Sequence, residues 1–135
     1  MFRVSASPRP FIDSLGELES AALEVLWASP HAMAVRDVAA QLKRRPALAY
    51  TTVMTVLDRL HDKGFVTREK GGRAFLYQPR IAREALMGQR AASALRHKGP
   101  PPDAVLMAFL DSVETRDPKV LDRLAELIAK RKAGK

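Results

Sequence analysis

The chain contains no cysteine. Disulfides and thiolate metal sites are excluded, and cysteine usage says nothing about redox compartment. Histidine is scarce as well: His31, His61 and His97 stand far apart with no ligand spacing, and each reads as a surface or capping residue. Neither metal nor cofactor is expected. Long apolar runs are missing. The N-terminal "MFRVSASPRPFID" holds no run of signal-peptide length and nothing later approaches a membrane span, so the expectation is a cytoplasmic protein without membrane insertion. No pattern brings a nucleophile, a base and an orienting group together, so no enzyme is expected. Acidic residues are in deficit, 15 Asp and Glu against 23 Lys and Arg, which gives a formal net charge of +8 and a pI near 10.3. That balance favours a polyanionic partner such as nucleic acid.

What is present is globular: 135 residues, 47% hydrophobic and 28% charged, suit one core or one compact module with a smaller appendage. Residues 1–13 carry two prolines and no periodicity and read as a loose arm. Ser14 followed by Glu17 matches a capping box. Leu18, Ala22, Val25, Leu26 and Ser29 then mark a helical stripe with its apolar part inward, closed by Trp27 and stopped by Pro30. After the link "HAMA", "VRDVAAQL" places Val35, Val38, Ala39 and Leu42 on one face of a shorter helix, which starts weakly because Ala34 has no capping oxygen. "KRRP" at 43–46 makes a basic turn.

The third helix, opened by "AYTTVMTVLDRL" at 49–60 and ending at Gly64, poses a question of composition. Five of the six residues from Thr51 to Val56 are β-branched, at a cost of a few tenths of a kcal/mol each relative to Ala. Helical spacing gathers Val53, Val56, Leu57 and Leu60 on a core-facing arc. Thr51, Met54, Thr55, Asp58 and Asp62 fall opposite, with Thr52 and Arg59 at the edge. Taken alone, that outer face reads as solvated. Its context shifts the reading, because short hydroxyl side chains let a helix sit deep in a major groove, and Thr offers a donor, an acceptor and a methyl to the bases. No side-chain cap is evident at Ala49, so first-turn N–H groups remain available to phosphate, and Tyr50 at the entry can pair with phosphate or stack on sugar.

"FVTREKGGRAFLYQP" changes the period to extended, with Gly71-Gly72 as a hairpin turn. Helix, helix, helix, hairpin is the order of a winged helix-turn-helix. From Arg36 to Arg73 nine Lys and Arg face four Asp and Glu, so this segment holds a surplus of five, more than half of the net charge. Asp58 and Asp62 oppose that trend unless tilted away or paired with Arg59 and Lys63. The expected DNA contacts are Arg45, Tyr50, Thr51, Thr52, Thr55, Arg59, Lys70 and Arg73, with Lys43 and Arg44 as further phosphate partners.

From Ile81 the composition becomes Ala-rich and helical. "KGPPP" interrupts it, and "DAVLMAFLDSV" is apolar on nearly every side. Asp117-Pro118 supplies a cap and first-turn proline for a last helix striped by Leu121, Leu124, Leu127 and Ile128, with Lys130–Lys132 at the negative end of its dipole. These three helices cannot easily bury themselves, so a second copy of the chain is expected to complete their core, with Leu106, Phe109, Leu110, Leu121, Leu124 and Ile128 at the interface. The domains expected are the arm 1–13, a winged helix-turn-helix over 14–80 and a helical dimerisation domain over 81–135. The fold class is mainly α with a small β wing.

In this order, "LGELESAALEVLW", "VRDVAAQL" and "LAYTTVMTVLDRLHDKGFVTREKGGRAFLYQP" resemble the BlaI/MecI/CopY family of bacterial transcriptional repressors, over roughly residues 14–131. The resemblance implies a homodimer bound to an inverted-repeat operator on double-stranded DNA. The copper-responsive branch binds metal through cysteines, and this chain has none. In the β-lactam branch the repressor binds no antibiotic. A membrane receptor-protease triggers its cleavage within the dimerisation domain, which implies a β-lactam or cell-envelope stress regulon and a role in antibiotic resistance. The counterpart of that cut falls in "LMAFLD", at Ala108 and Phe109, where the residue before Phe is Ala. Two other readings stay open: a winged-helix repressor that senses a small ligand in its helical domain, and a winged-helix protein-interaction module. Loss of basic residues from the third helix and wing would favour the module, and here they are present.

Overall fold

The computed structural model describes residues 15–44, 46–96 and 99–134. It has six helices and one hairpin among these residues: α1 Glu17–Ala28, α2 Val35–Leu42, α3 Tyr50–Asp62, β1 Val66–Gly71, β2 Ala74–Pro79, α4 Arg83–Leu95, α5 Asp103–Arg116 and α6 Pro118–Ala133. The class is the expected one, mainly α with a two-stranded antiparallel wing. The chain divides into two compact units, residues 1–91 and 92–135. The arm, residues 1–13, lies outside the described residues, as do Ser14, Arg45 and His97.

The first unit is built on one core. Val53, Val56, Leu57 and Leu60 are its share from α3, the four residues that the helical spacing assigns to the inner arc. From α2 come Val35 and Val38, with Ala39 and Leu42 half-buried. From α1 come Ala22, Leu23 and Leu26, together with Glu19. The fully buried line of α1 is thus 19, 22, 23 and 26, one step round from the stripe read in the sequence. Glu19 hides that line because it is charged, and its burial is compensated by Lys63, whose Nζ lies 2.8 and 2.9 Å from the two carboxylate oxygens. Glu19 also sets the helix start: it accepts the Gly16 N–H at 2.6 Å. Since α1 begins at Glu17, the capping carboxylate at the third helical position is Glu19 rather than Glu17, and Glu17 pairs instead with Arg44 at 3.1 Å.

Helix α3 ends in a Schellman motif. Gly64 has φ of 87°, the Phe65 N–H donates to the Leu60 carbonyl and the Gly64 N–H to that of His61. Phe65, the residue beyond the turn, and Leu60 are both fully buried, so the chain reversal is locked by the core. The wing follows at once. Its register pairs Val66 with Pro79 and Gly71 with Ala74, which makes Gly72-Arg73 the two-residue turn, one position later than Gly71-Gly72. Gly72 carries the positive φ, 74°, that the first central position of a II′ turn needs. At Gly71 a Cβ would meet Leu76 Cδ1 at 2.6 Å, so a larger residue there needs the Leu76 side chain to move.

The link between α1 and α2 also joins the sheet. Met33 and Tyr77 exchange both backbone hydrogen bonds at 2.8 Å as an isolated antiparallel bridge. Leu86 of α4 is buried with the first unit, and Trp27 Nε1 donates to the Ile81 carbonyl at 2.9 Å, so this unit includes the start of α4. In the second unit Asp117 caps α6 by accepting the Lys119 N–H, with Pro118 at the first helical position. No described residue of α5 or α6 is buried.

Leu57→Ala is expected to cost about 2–5 kcal/mol through lost burial and a residual cavity, whereas Thr52→Ala on the exposed face should stay within about 0.5 kcal/mol. Urea unfolding followed through Trp27, the one tryptophan of the chain, checks both.

Candidate nucleic-acid interface

The outer face of α3 carries Tyr50, 54% exposed, together with exposed Thr51, Thr52, Met54, Thr55 and Arg59. These side chains are on one surface because the 100° step that buries Val53, Val56, Leu57 and Leu60 turns them outward. Ala49 makes no side-chain cap bond, and the first-turn N–H groups have no intrahelical partner. The Thr55 hydroxyl donates to the Thr51 carbonyl at 2.9 Å. Its hydrogen is therefore in use, while its oxygen can still accept.

On the wing, Arg73 is exposed in the turn and Lys70 is exposed on β1. Lys43 is exposed at the end of α2, where it adopts φ of 51°. Arg44 is held by Glu17, so part of its charge is answered within the protein. Arg45 lies outside the described residues. The structure thus gathers Tyr50, Thr51, Thr52, Thr55 and Arg59 on one helix face and Lys70 and Arg73 on the hairpin that leaves the same core.

Helix and hairpin are joined by Asp58. It does not pair with Arg59; its Oδ1 accepts from Arg68 Nη1 and from the Tyr77 hydroxyl, each at 2.9 Å. Lys63 likewise turns to Glu19, and Asp62 lies 3.7 Å from His61 Nδ1. Beyond Asp58 the wing carries a cation–aromatic stack. The Arg68 guanidinium sits 4.3 Å from the Phe75 centroid, Lys70 Nζ 5.8 Å from it, and Phe75 meets Tyr77 edge-on at 6.4 Å. Arg68, Phe75 and Tyr77 escaped the sequence reading. Their signal was the alternation Arg68, Lys70 on one strand against Phe75, Tyr77 on the other, which puts all four on one hairpin face.

Dimerisation candidates fall in the second unit. Phe109, Leu110, Leu121 and Leu124 are half-buried there, while Leu106 is 37% and Ile128 55% exposed. Ala108 is exposed, within α5. No helix is long and apolar enough to cross a membrane, and no group of three or more potential metal ligands occurs among the described residues.

The family model described as penicillinase repressor matches residues 15–130. The transcriptional regulator BlaI of Mycobacterium tuberculosis, strain CDC 1551 / Oshkosh, is 38% identical over 118 residues, which is 85% of this chain and 86% of that protein, and the protein of strain H37Rv gives the same figures. Among solved structures, the DNA-binding domain of the repressor BlaI in solution is 26% identical, with a TM-score of 0.48, over 57% of this chain and 93% of that one.

Burial, and then the hydrogen bond to Asp58, hold the Tyr77 phenol above its ordinary pKa of 10.0, while Arg68 pulls the other way. The folded state keeps this proton to higher pH than the unfolded chain does. The resulting stabilisation is complete below about pH 10 and is lost as the pH rises through the folded-state value. Tyrosinate absorbance should show a late-titrating component that Tyr77→Phe removes.

Proposed function

From the premise that the chain belongs to the penicillinase-repressor family, we propose that this winged-helix transcriptional repressor is a cytoplasmic homodimer bound to an inverted-repeat operator. The observation that carries the reading is the joined surface of α3 and wing: short hydroxyl side chains on the helix, basic ones on the hairpin, both fixed to one core. Thr51, Thr52 and Thr55 meet base edges in the major groove. Tyr50, Arg45, Arg59, Lys70 and Arg73 meet phosphate and sugar, the contacts that set register without reading sequence.

The second unit completes the reading. Two helices that bury no residue, with Val105, Leu106, Met107, Val120, Leu127 and Ile128 all 37–58% exposed, gain a core by pairing with those of a second chain. Two linked recognition helices then engage a palindrome with an affinity neither has alone. Relief of repression comes from cleavage at Ala108 and Phe109 by a membrane receptor-protease in a β-lactam or cell-envelope stress regulon. That cut removes α6 and the second part of α5, with five of the six candidate interface residues, Leu106 alone remaining, and leaves α3 intact. Since the bond lies inside α5, local unwinding of the helix must precede it.

If each subunit neutralises three or four phosphates, log affinity against log salt falls with a slope of about −5 to −7. Thr51→Ala or Thr55→Ala should cost about 1–3 kcal/mol on the operator and little on random DNA, whereas Arg73→Ala should weaken both alike. Titrations on both duplexes check this. A slope near zero sinks the DNA reading, and equal losses on both duplexes for the Thr variants place the wrong face in the groove.

For the dimer, Phe109→Ala is expected to cost about 3–5 kcal/mol at the interface, enough to dissociate it. Sedimentation should then find monomers with an intact first unit, and operator affinity should fall by orders of magnitude. A variant that remains a tight dimer with full affinity puts the interface elsewhere.

A further inference from the structure

Asp58 is a carboxylate on the helix that the DNA reading turns toward a polyanion, and on charge alone it weakens binding. Its surroundings give it another part. One carboxylate oxygen receives both Arg68 from β1 and Tyr77 from β2, so a single residue of α3 grips both strands of the wing. The register sets Arg68 opposite Tyr77 and Lys70 opposite Phe75. The grip therefore passes outward along one hairpin face, from Asp58 to Arg68, from Arg68 to the Phe75 ring, and from that ring to Lys70. A two-stranded hairpin is marginal without support. Val66 and Tyr77 root this one in the core and the Met33 bridge holds the Tyr77 backbone to the link between α1 and α2, while Asp58 is the side-chain tie to α3.

Resting on the DNA-binding reading, we propose that Asp58 is a positioning residue: by anchoring Arg68 and Tyr77 it holds the wing at the angle from which Lys70 and Arg73 reach the duplex that α3 occupies. Loss of the carboxylate frees the hairpin to move away from α3, and the wing cations stop contributing to a helix-docked complex. The anchor thus reverses the ordinary electrostatic sign, because removing a negative charge beside DNA makes binding weaker.

The test uses the full chain and a duplex that the wild-type chain recovers from a random-sequence pool. Wild type, Asp58→Ala, Asp58→Asn, Lys70→Ala and the double variant Asp58→Ala/Lys70→Ala are titrated at several salt concentrations, with Trp27 fluorescence confirming that each is folded. Asp58→Ala is expected to bind about tenfold or more weakly, with the salt slope reduced by about 1–2 per subunit as Lys70 and Arg73 disengage. Asp58→Asn keeps an oxygen that accepts from Tyr77 and Arg68 and should recover part of the loss. Lys70→Ala should cost much less in the Asp58→Ala background than alone, since the cation has already left the interface. A merely destabilised fold would change neither the slope nor this coupling. Asp58→Ala binding as tightly as wild type or more tightly, or Lys70→Ala costing the same in both backgrounds, overturns the anchor while leaving the DNA reading in place. Failure of the wild-type chain to recover or bind any duplex overturns the DNA reading and the anchor with it.

Discussion

Tyr77 joins the wing to the helical layer through both its side chain and its backbone. The residue is 1% exposed, and a phenol that deep needs a partner for its hydroxyl. Asp58 of α3 supplies one, Arg68 shares the same carboxylate oxygen, and the ring lies edge-on to Phe75. The Tyr77 backbone is committed as well, to Met33 in the link between α1 and α2. One residue thus ties both α3 and the link between α1 and α2 to the hairpin. Glu19 does comparable work on the other side, where it caps α1 through Gly16 and binds Lys63 at the end of α3.

With α3 held in this way, its β-branched composition has an answer. The intrinsic helix propensity of Thr and Val is poor, but Val53 and Val56 are packed into the core and the Schellman turn at Gly64 ends the helix against buried Phe65. Tertiary contacts therefore carry the helix and leave the outer positions to be chosen for another purpose. Thr51, Thr52 and Thr55 keep the surface of α3 low. A row of longer side chains there would add helical stability and hold the backbone away from whatever it approaches.

Periodicity made the inner arc of α3, the inner face of α2 and the position of the wing readable, since each rests on local spacing. The capped start of α6 at Asp117-Pro118 was readable for a related reason, as it is written in two adjacent residues. Contacts between distant residues were not readable. Arg68 meets Asp58 and Tyr77 meets Met33 only after the chain has folded back, and nothing local marks those partners. Leu23 was missed because its stripe contains Glu19, a charge whose counterpart is forty-four positions away. The hairpin turn moved by one residue because two glycines stand together and pairing, rather than composition, decides which of them enters the turn. Among the candidate contact residues, residue types could be read from the sequence, but the bond from Thr55 to the Thr51 carbonyl and the pairing of Arg44 with Glu17 could not.

The absence of cysteine allows a direct measurement of which surface meets DNA. Single-cysteine variants Thr51→Cys, Arg73→Cys and Gln41→Cys each carry one thiol, which can be crosslinked to thiol-reactive groups placed in the major groove or on the backbone of a bound duplex. Thr51→Cys should react with the groove probes, Arg73→Cys with those on the backbone, and Gln41→Cys, at an exposed position of α2, with neither. Crosslinking through Gln41→Cys in preference to the other two would contradict the account, since the duplex would then lie on a surface that α3 and the wing do not form.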